Sequence, residues 1–178
     1  MIDTGFRWFA AMFCIAGLTH IGAVLLAPNH ARDLAFTNMD FSKADGKLAR
    51  IDSGNTNADL DPAFLNAVCR FDEDTGPIRL SGAMPNTYWS VAAMAEDGRV
   101  LSTTSREDLR GTNIDLLVGR TAALDAARQA AGIDSIETMS LPVDTGFLLV
   151  RLFAGDLEDR SRSDAAVDGL QCQPAFSQ

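Results

Sequence analysis

Hydrophobic and polar positions divide the chain into two regimes. From Trp8 to Ala27 the sequence reads WFAAMFCIAGLTHIGAVLLA, with no Asp, Glu, Lys or Arg. About twenty helical residues at ~1.5 Å each cover ~30 Å, the hydrocarbon thickness of a bilayer. Arg7 and Trp8 sit at one end, where a charged head and an amphipathic ring suit the interface. Pro28 and Asn29 are expected to close the other end, because proline disfavours helix at the residue before it and donates no hydrogen bond. A retained signal anchor is the primary reading. A cleaved secretory signal would have a shorter apolar core and a small-x-small site, of which Asn29 and Ala31 make a poor version. A buried core helix would show a polar stripe, and only Thr19 and His20 interrupt this one. His20 is an ionisable group at membrane depth without a second polar partner in the span, which suits a helix contact or a water defect. Gly17 and Gly22 are five apart and miss the four-residue spacing of a helix-pair face.

Beyond the span the pattern shortens. Residues 29–60 are rich in Asn, Asp, Gly and Ser and read as a linker, with a short strand or helix around Leu34–Phe41. Asp61-Pro62 reads as an N-cap followed by a first-turn proline, opening a short turn through Ala67. Val68–Phe71, Ile78–Ala83 and Thr87–Met94 read as strands. In the last, Trp89, Val91 and Ala93 share one side and Tyr88, Ser90 and Ala92 the other. Glu96-Asp97-Gly98 signals a tight turn that returns the chain through Arg99–Thr104 as a hairpin. Asn113–Val118 is a further strand. Thr121–Ala131 is a helix capped by Thr121 and ended by Gly132, with Leu124, Ala127 and Ala131 on one face. Ile136–Leu141 and Gly146–Phe153 read as a strand pair around a turn at Pro142–Thr145, and Ser163–Leu170 as a closing helix. The sum is an α+β domain: a mostly antiparallel sheet with two or three short helices, preceded by one N-terminal transmembrane helix. Residues 1–28 form the anchor, 29–60 the linker and 61–178 the soluble domain.

Charge narrows the function. With 24 acidic against 15 basic residues the net charge is −9, a field that repels phosphate backbones, so no nucleic-acid partner is expected. No phosphate-binding glycine loop or dinucleotide fingerprint occurs. The only histidine outside the span is His30, which argues against a histidine-based nucleophilic machine or a histidine-bearing metal site. Asp72-Glu73-Asp74-Thr75-Gly76 resembles a calcium loop superficially, but its glycine falls fifth rather than sixth. No catalytic residue, metal or cofactor is therefore assigned. Arg79, Tyr88, Trp89, Arg106 and Arg151 are the side chains that could line a pocket, against the alternative that the aromatic pair is packing. An enzyme working without histidine is the alternative reading, with Asp115 and Asp144 among its candidate acids.

The positive-inside count favours neither end of the span convincingly: Arg7 and the amino terminus precede it, while Arg32, Lys43 and Lys47 follow among Asp33, Asp40 and Asp45, and taken literally the count leans towards a cytoplasmic C-terminal domain. Cys69 and Cys172 lie outside the span and fit either a structural disulfide in an oxidising compartment or two free buried thiols.

The stretch DPAFLNAVCRFDEDTGPIRLSG and the following PNTYWSVAAMAEDGRVLSTTS carry a resemblance. They resemble the domain of unknown function 1254 family, small predicted integral membrane proteins of proteobacteria. The likeness runs from about Asp61 to Cys172 and includes Asn113–Gly119, Gly146–Leu152 and a short helix closing on Cys172. It implies no reaction. It does imply an inner-membrane, single-pass protein with an exported, periplasmic domain, and a companion membrane-anchored protein of the domain of unknown function 1214 family. With the domain exported, Cys69–Cys172 becomes the expected disulfide, and an envelope binding or interaction module the expected function.

Overall fold

The structure, a computed structural model, describes residues 4–37, 48–51, 60–72, 76–109, 111–131 and 136–175. The chain divides into two compact units, residues 1–37 and 38–178. The first contains helix α1 (Thr4–Thr37), whose stretch Gly5–Leu26 is long and apolar enough to cross a membrane. Its large apolar side chains from Phe6 to Leu26, including Trp8, Phe13, Leu18 and Leu25, are exposed all round the helix. Thr19 donates its hydroxyl to the Ile15 carbonyl at 2.9 Å, which satisfies a polar group inside the apolar stretch. Helical backbone continues through Pro28 and Asn29 to Thr37, past the expected end. A proline withholds one ladder bond, and the turns on either side still carry theirs.

The second unit is an α+β domain of two sheets and two short helices. Its strands are β1 (Ala49–Ile51), β2 (Phe64–Phe71), β3 (Ile78–Ala83), β4 (Trp89–Met94), β5 (Val100–Ser105), β6 (Asn113–Gly119), β7 (Glu137–Ser140), β8 (Gly146–Phe153) and β9 (Gln171–Pro174). Helix α2 (Thr121–Ala131) follows β6 and α3 (Leu157–Gly169) follows β8. One sheet has the order β1-β2-β8-β4-β5 and the other β7-β6-β3-β9. All pairings are antiparallel except β6–β7, which is parallel.

Strict alternation buries one face of each sheet in a shared core. Ala67, Cys69 and Phe71 of β2, Trp89, Val91 and Ala93 of β4, and Leu148, Val150 and Leu152 of β8 meet Ile78, Leu80, Ile114, Leu116 and Val118 of the second sheet. Trp89 is 2% exposed, as the alternation predicted. The Cys69–Cys172 disulfide joins β2 to β9 through this core and so fastens the two sheets together. On the outer face of the second sheet, Leu124 and Ala127 of α2 cover Leu117. Helix α3 packs against β2, β3 and β8 and contributes Val167, with Leu170 just beyond its end. Asp156 caps it by accepting from the Asp159 N–H at 2.7 Å, and Arg50 of β1 binds Asp164 at 2.5 Å and Asp168 at 2.7 Å.

Four local expectations are corrected. The Asp61-Pro62 turn is real, with Asp61 accepting from the Ala63 N–H at 2.9 Å, but no helical turn follows. Strand β2 starts at Phe64, because every residue from Phe64 to Phe71 finds a partner on β8. Ile136–Leu141 and Gly146–Phe153 are not a hairpin: β7 lies beside β6 in one sheet, whereas β8 is the centre of the other. Thr121 does not cap α2; its hydroxyl pairs with that of Ser140 at 2.6 Å, and the Leu124 N–H bonds the Arg120 carbonyl. The expected turn at Glu96-Asp97-Gly98 is present, with Gly98 at φ 77°, a left-handed conformation that glycine adopts without a Cβ penalty. Residues 73–75, 132–135 and 38–47, on which parts of the calcium-loop, helix-end and linker readings fall, lie outside the described residues.

Candidate functional site

The outer face of the five-stranded sheet is built in rows by strand register. Phe64 of β2 stands opposite Phe153 of β8, and the Phe153 N–H bonds the carbonyl of Tyr88, which leads into β4. This makes an aromatic row across three strands. Phe64 meets Phe153 edge-on at 5.8 Å and Tyr88 edge-on at 6.3 Å between ring centroids. Gly155 leaves the space into which the Phe153 ring folds, since a Cβ there would collide with it. The adjacent row is polar: Arg151 of β8 lies between Asn66 of β2 and Ser90 of β4, and Ser90 pairs in turn with Ser105 of β5.

Arg151 leans from the polar row over the aromatic one. Its guanidinium carbon sits 4.4 Å from the centroid of Phe64, a cation–π geometry. Among the described residues, no carboxylate pairs with Arg151 and its side chain makes no hydrogen bond. That distinguishes it from the sheet's other two strand arginines: Arg50 is bound by Asp164 and Asp168, and Arg70 lies 3.8 Å from Glu96. No strand residue of this sheet is Asp or Glu, although the whole chain carries −9. Asn66 is 6% exposed and donates its amide to the Phe64 carbonyl at 3.3 Å, while Tyr88 is 51% exposed. The row therefore offers a rigid aromatic platform beside a guanidinium whose N–H fork is unused.

Of the five side chains singled out from the sequence, only Tyr88 and Arg151 meet here. Trp89 points into the core. Arg79 lies in the other sheet, held bidentately by Asp115 at 2.6 and 2.7 Å; that hydrogen-bonded pairing raises the guanidinium above its ordinary value. Arg106 binds the carbonyl of Asn86 at 2.7 Å and the Asn86 side chain, bracing the loop that delivers Tyr88. Phe64, Asn66, Ser90 and Phe153 were missed. The period-2 spacing of Phe64-x-Asn66 and Arg151-x-Phe153 was a usable signal, but it reads only once β2 is extended back to Phe64.

Among the described residues, clefts of the second unit lie elsewhere. One of 380 Å³ is lined by Phe71, Pro77, Gly119, Arg120, Val143 and Asp144. Another, of 530 Å³, is lined by Leu48, Arg50, Val167, Asp168, Cys172 and Gln173. The two carboxylates considered as acids are each engaged by an arginine, Asp115 by Arg79 and Asp144 by Arg120 at 2.8 Å. Among the described residues, no group of three or more His, Cys, Asp or Glu side chains is placed to hold a metal.

No family model matches the chain, and no curated protein does. Solved structures do. The chain is similar to the VPA0106 protein from Vibrio parahaemolyticus at a TM-score of 0.58 and 14% identity, over 83% of this chain and 35% of that one. It is also similar to an uncharacterized protein from Burkholderia cenocepacia at a TM-score of 0.55 and 16% identity, over 87% of this chain and 43% of that one. At these identities the likeness shows a shared fold. The chain spans less than half the length of either protein.

Proposed function

We propose that this chain is a single-pass inner-membrane protein of the domain of unknown function 1254 type, retained by α1 as a signal anchor. Its periplasmic domain acts as a binding or interaction module, and the partner class expected from the resemblance is a companion of the domain of unknown function 1214 family. The uncharged stretch Gly5–Leu26 supports the anchor. A disulfide between the two sheets supports an oxidising compartment. The observation that carries the binding role is the outer face of the five-stranded sheet, where an arginine with no carboxylate partner among the described residues stands on an aromatic row in a chain that is otherwise strongly acidic.

Paired cysteine reporters test both parts at once. In a Cys14→Ser background, Thr103→Cys reports from that outer face and Asp125→Cys from the exposed side of α2. A membrane-impermeant maleimide small enough to enter the periplasm should label Asp125→Cys in intact cells. Thr103→Cys should label more slowly in cells than in the purified chain. Labelling that requires rupture of the inner membrane overturns the compartment. Equal relative rates at Thr103 in cells and in purified protein overturn the interaction module.

A further inference from the structure

We infer that the Arg151 row is a binding site for a small monocarboxylate with an aromatic or similarly planar apolar body. The inference rests on the binding role proposed above and names the ligand class of that same face.

The argument begins with the cation. A guanidinium carries five N–H donors in a planar fork that matches the two oxygens of a carboxylate. In Arg151 the fork is held over the Phe64 ring at 4.4 Å, so much of the ordering that binding demands is already in place. Its register partners, Asn66 and Ser90, are neutral hydrogen-bonding side chains that add no competing charge. The absence of Asp and Glu from every strand of this sheet leaves the arginine's field uncancelled by its strand neighbours, in a protein whose acidity would otherwise disfavour an anion.

The body of the ligand follows from the neighbouring row. Phe64, Phe153 and Tyr88 present ring edges and faces one register step from the guanidinium, and Tyr88 is 51% exposed. Such a surface takes a planar apolar group, whereas a phosphate gains nothing from it. A carboxylate joined to a ring by a short linker spans the two rows.

Titration calorimetry on the full-length chain in detergent or nanodiscs tests the assignment with phenylacetate, phenylacetamide, acetate and inorganic phosphate. Phenylacetate should bind one to one, and more tightly than acetate or phosphate. Charge-assisted hydrogen bonds of this type are worth about 1.5–3 kcal/mol, so phenylacetamide and the Arg151→Gln chain should each lose roughly 10- to 100-fold in affinity. Arg151→Lys, which keeps the charge without the fork, and Tyr88→Leu, which removes an exposed ring, should both weaken phenylacetate; they stand in if Arg151→Gln fails to fold. Arg79→Gln, in the other sheet, should bind as the parent does. Equal binding of the amide and the acid, unchanged binding by a folded Arg151→Gln chain, or phosphate as the tightest ligand would overturn the ligand class. Slow labelling of Thr103→Cys in cells alongside any of those results leaves the interaction role standing and rejects the carboxylate alone.

Discussion

The disulfide offers the most quantitative test of how this domain is held. Cys69 and Cys172 are 103 residues apart in sequence and join the two sheets through the core. In the chain-entropy model, closing a loop of that size removes roughly 16 cal/mol/K from the unfolded ensemble, or about 4.7 kcal/mol at 25 °C. That is comparable with the whole stability of many domains. Both cysteines are buried, at 0% and 5% exposure, so replacing them would add a packing loss. The cleaner perturbation is reduction of the native chain, which keeps both sulfur atoms in place. A domain of about 140 residues has an unfolding entropy near 0.3 kcal/mol/K, so the reduced form should melt roughly 16 °C lower. Thermal unfolding of the full chain in detergent, followed by near-ultraviolet circular dichroism with and without a phosphine reductant, measures this. Cys14 is a free thiol in both samples and drops out of the comparison. A drop of less than about 3 °C, with alkylation proving both thiols reduced, would refute the view that this bond holds the sheets together.

Three further outcomes follow from local geometry. Gly146→Ala should destabilise by roughly 1–3 kcal/mol, because the new Cβ would collide with the Met94 carbonyl and lie 2.9 Å from the Phe71 ring; denaturant titration would show it. Asp156→Ala should cost about 1 kcal/mol and increase hydrogen exchange in the first turn of α3, whereas Asp156→Asn should largely preserve the cap. Arg79→Gln should cost under about 1 kcal/mol, since the pair with Asp115 is more than a third exposed and screened by solvent. Arg79 is raised by its bond to Asp115, so its contribution is fully present below its unfolded value and is lost only as pH rises through the higher folded value. Between roughly pH 6 and 9 the cost of Arg79→Gln should therefore not change through ionisation of the arginine, as urea titrations at the two ends would reveal.

The apolar span, the inward face of β4 with Trp89, the hairpin at Gly98, the bounds of α2 and β8, and the α+β class were all legible in the amino-acid sequence. Each depends on periodicity or on a turn residue whose conformational preference is local. Strand partnership was not legible. Every strand offers the same backbone donors and acceptors, so alternation assigns a face but not a neighbour; β7 and β8, near in sequence, went to different sheets. The start of β2 was hidden because Asp61-Pro62 is a strong local signal, while the β8 ladder that extends the strand to Phe64 is non-local. For the same reason the aromatic row and the arginine above it emerged only when β2, β8 and β4 were laid side by side, and Arg79, alike in sequence, was claimed by Asp115 across the other sheet. Local patterns select faces and turns; which faces meet is settled by the packing of the whole chain.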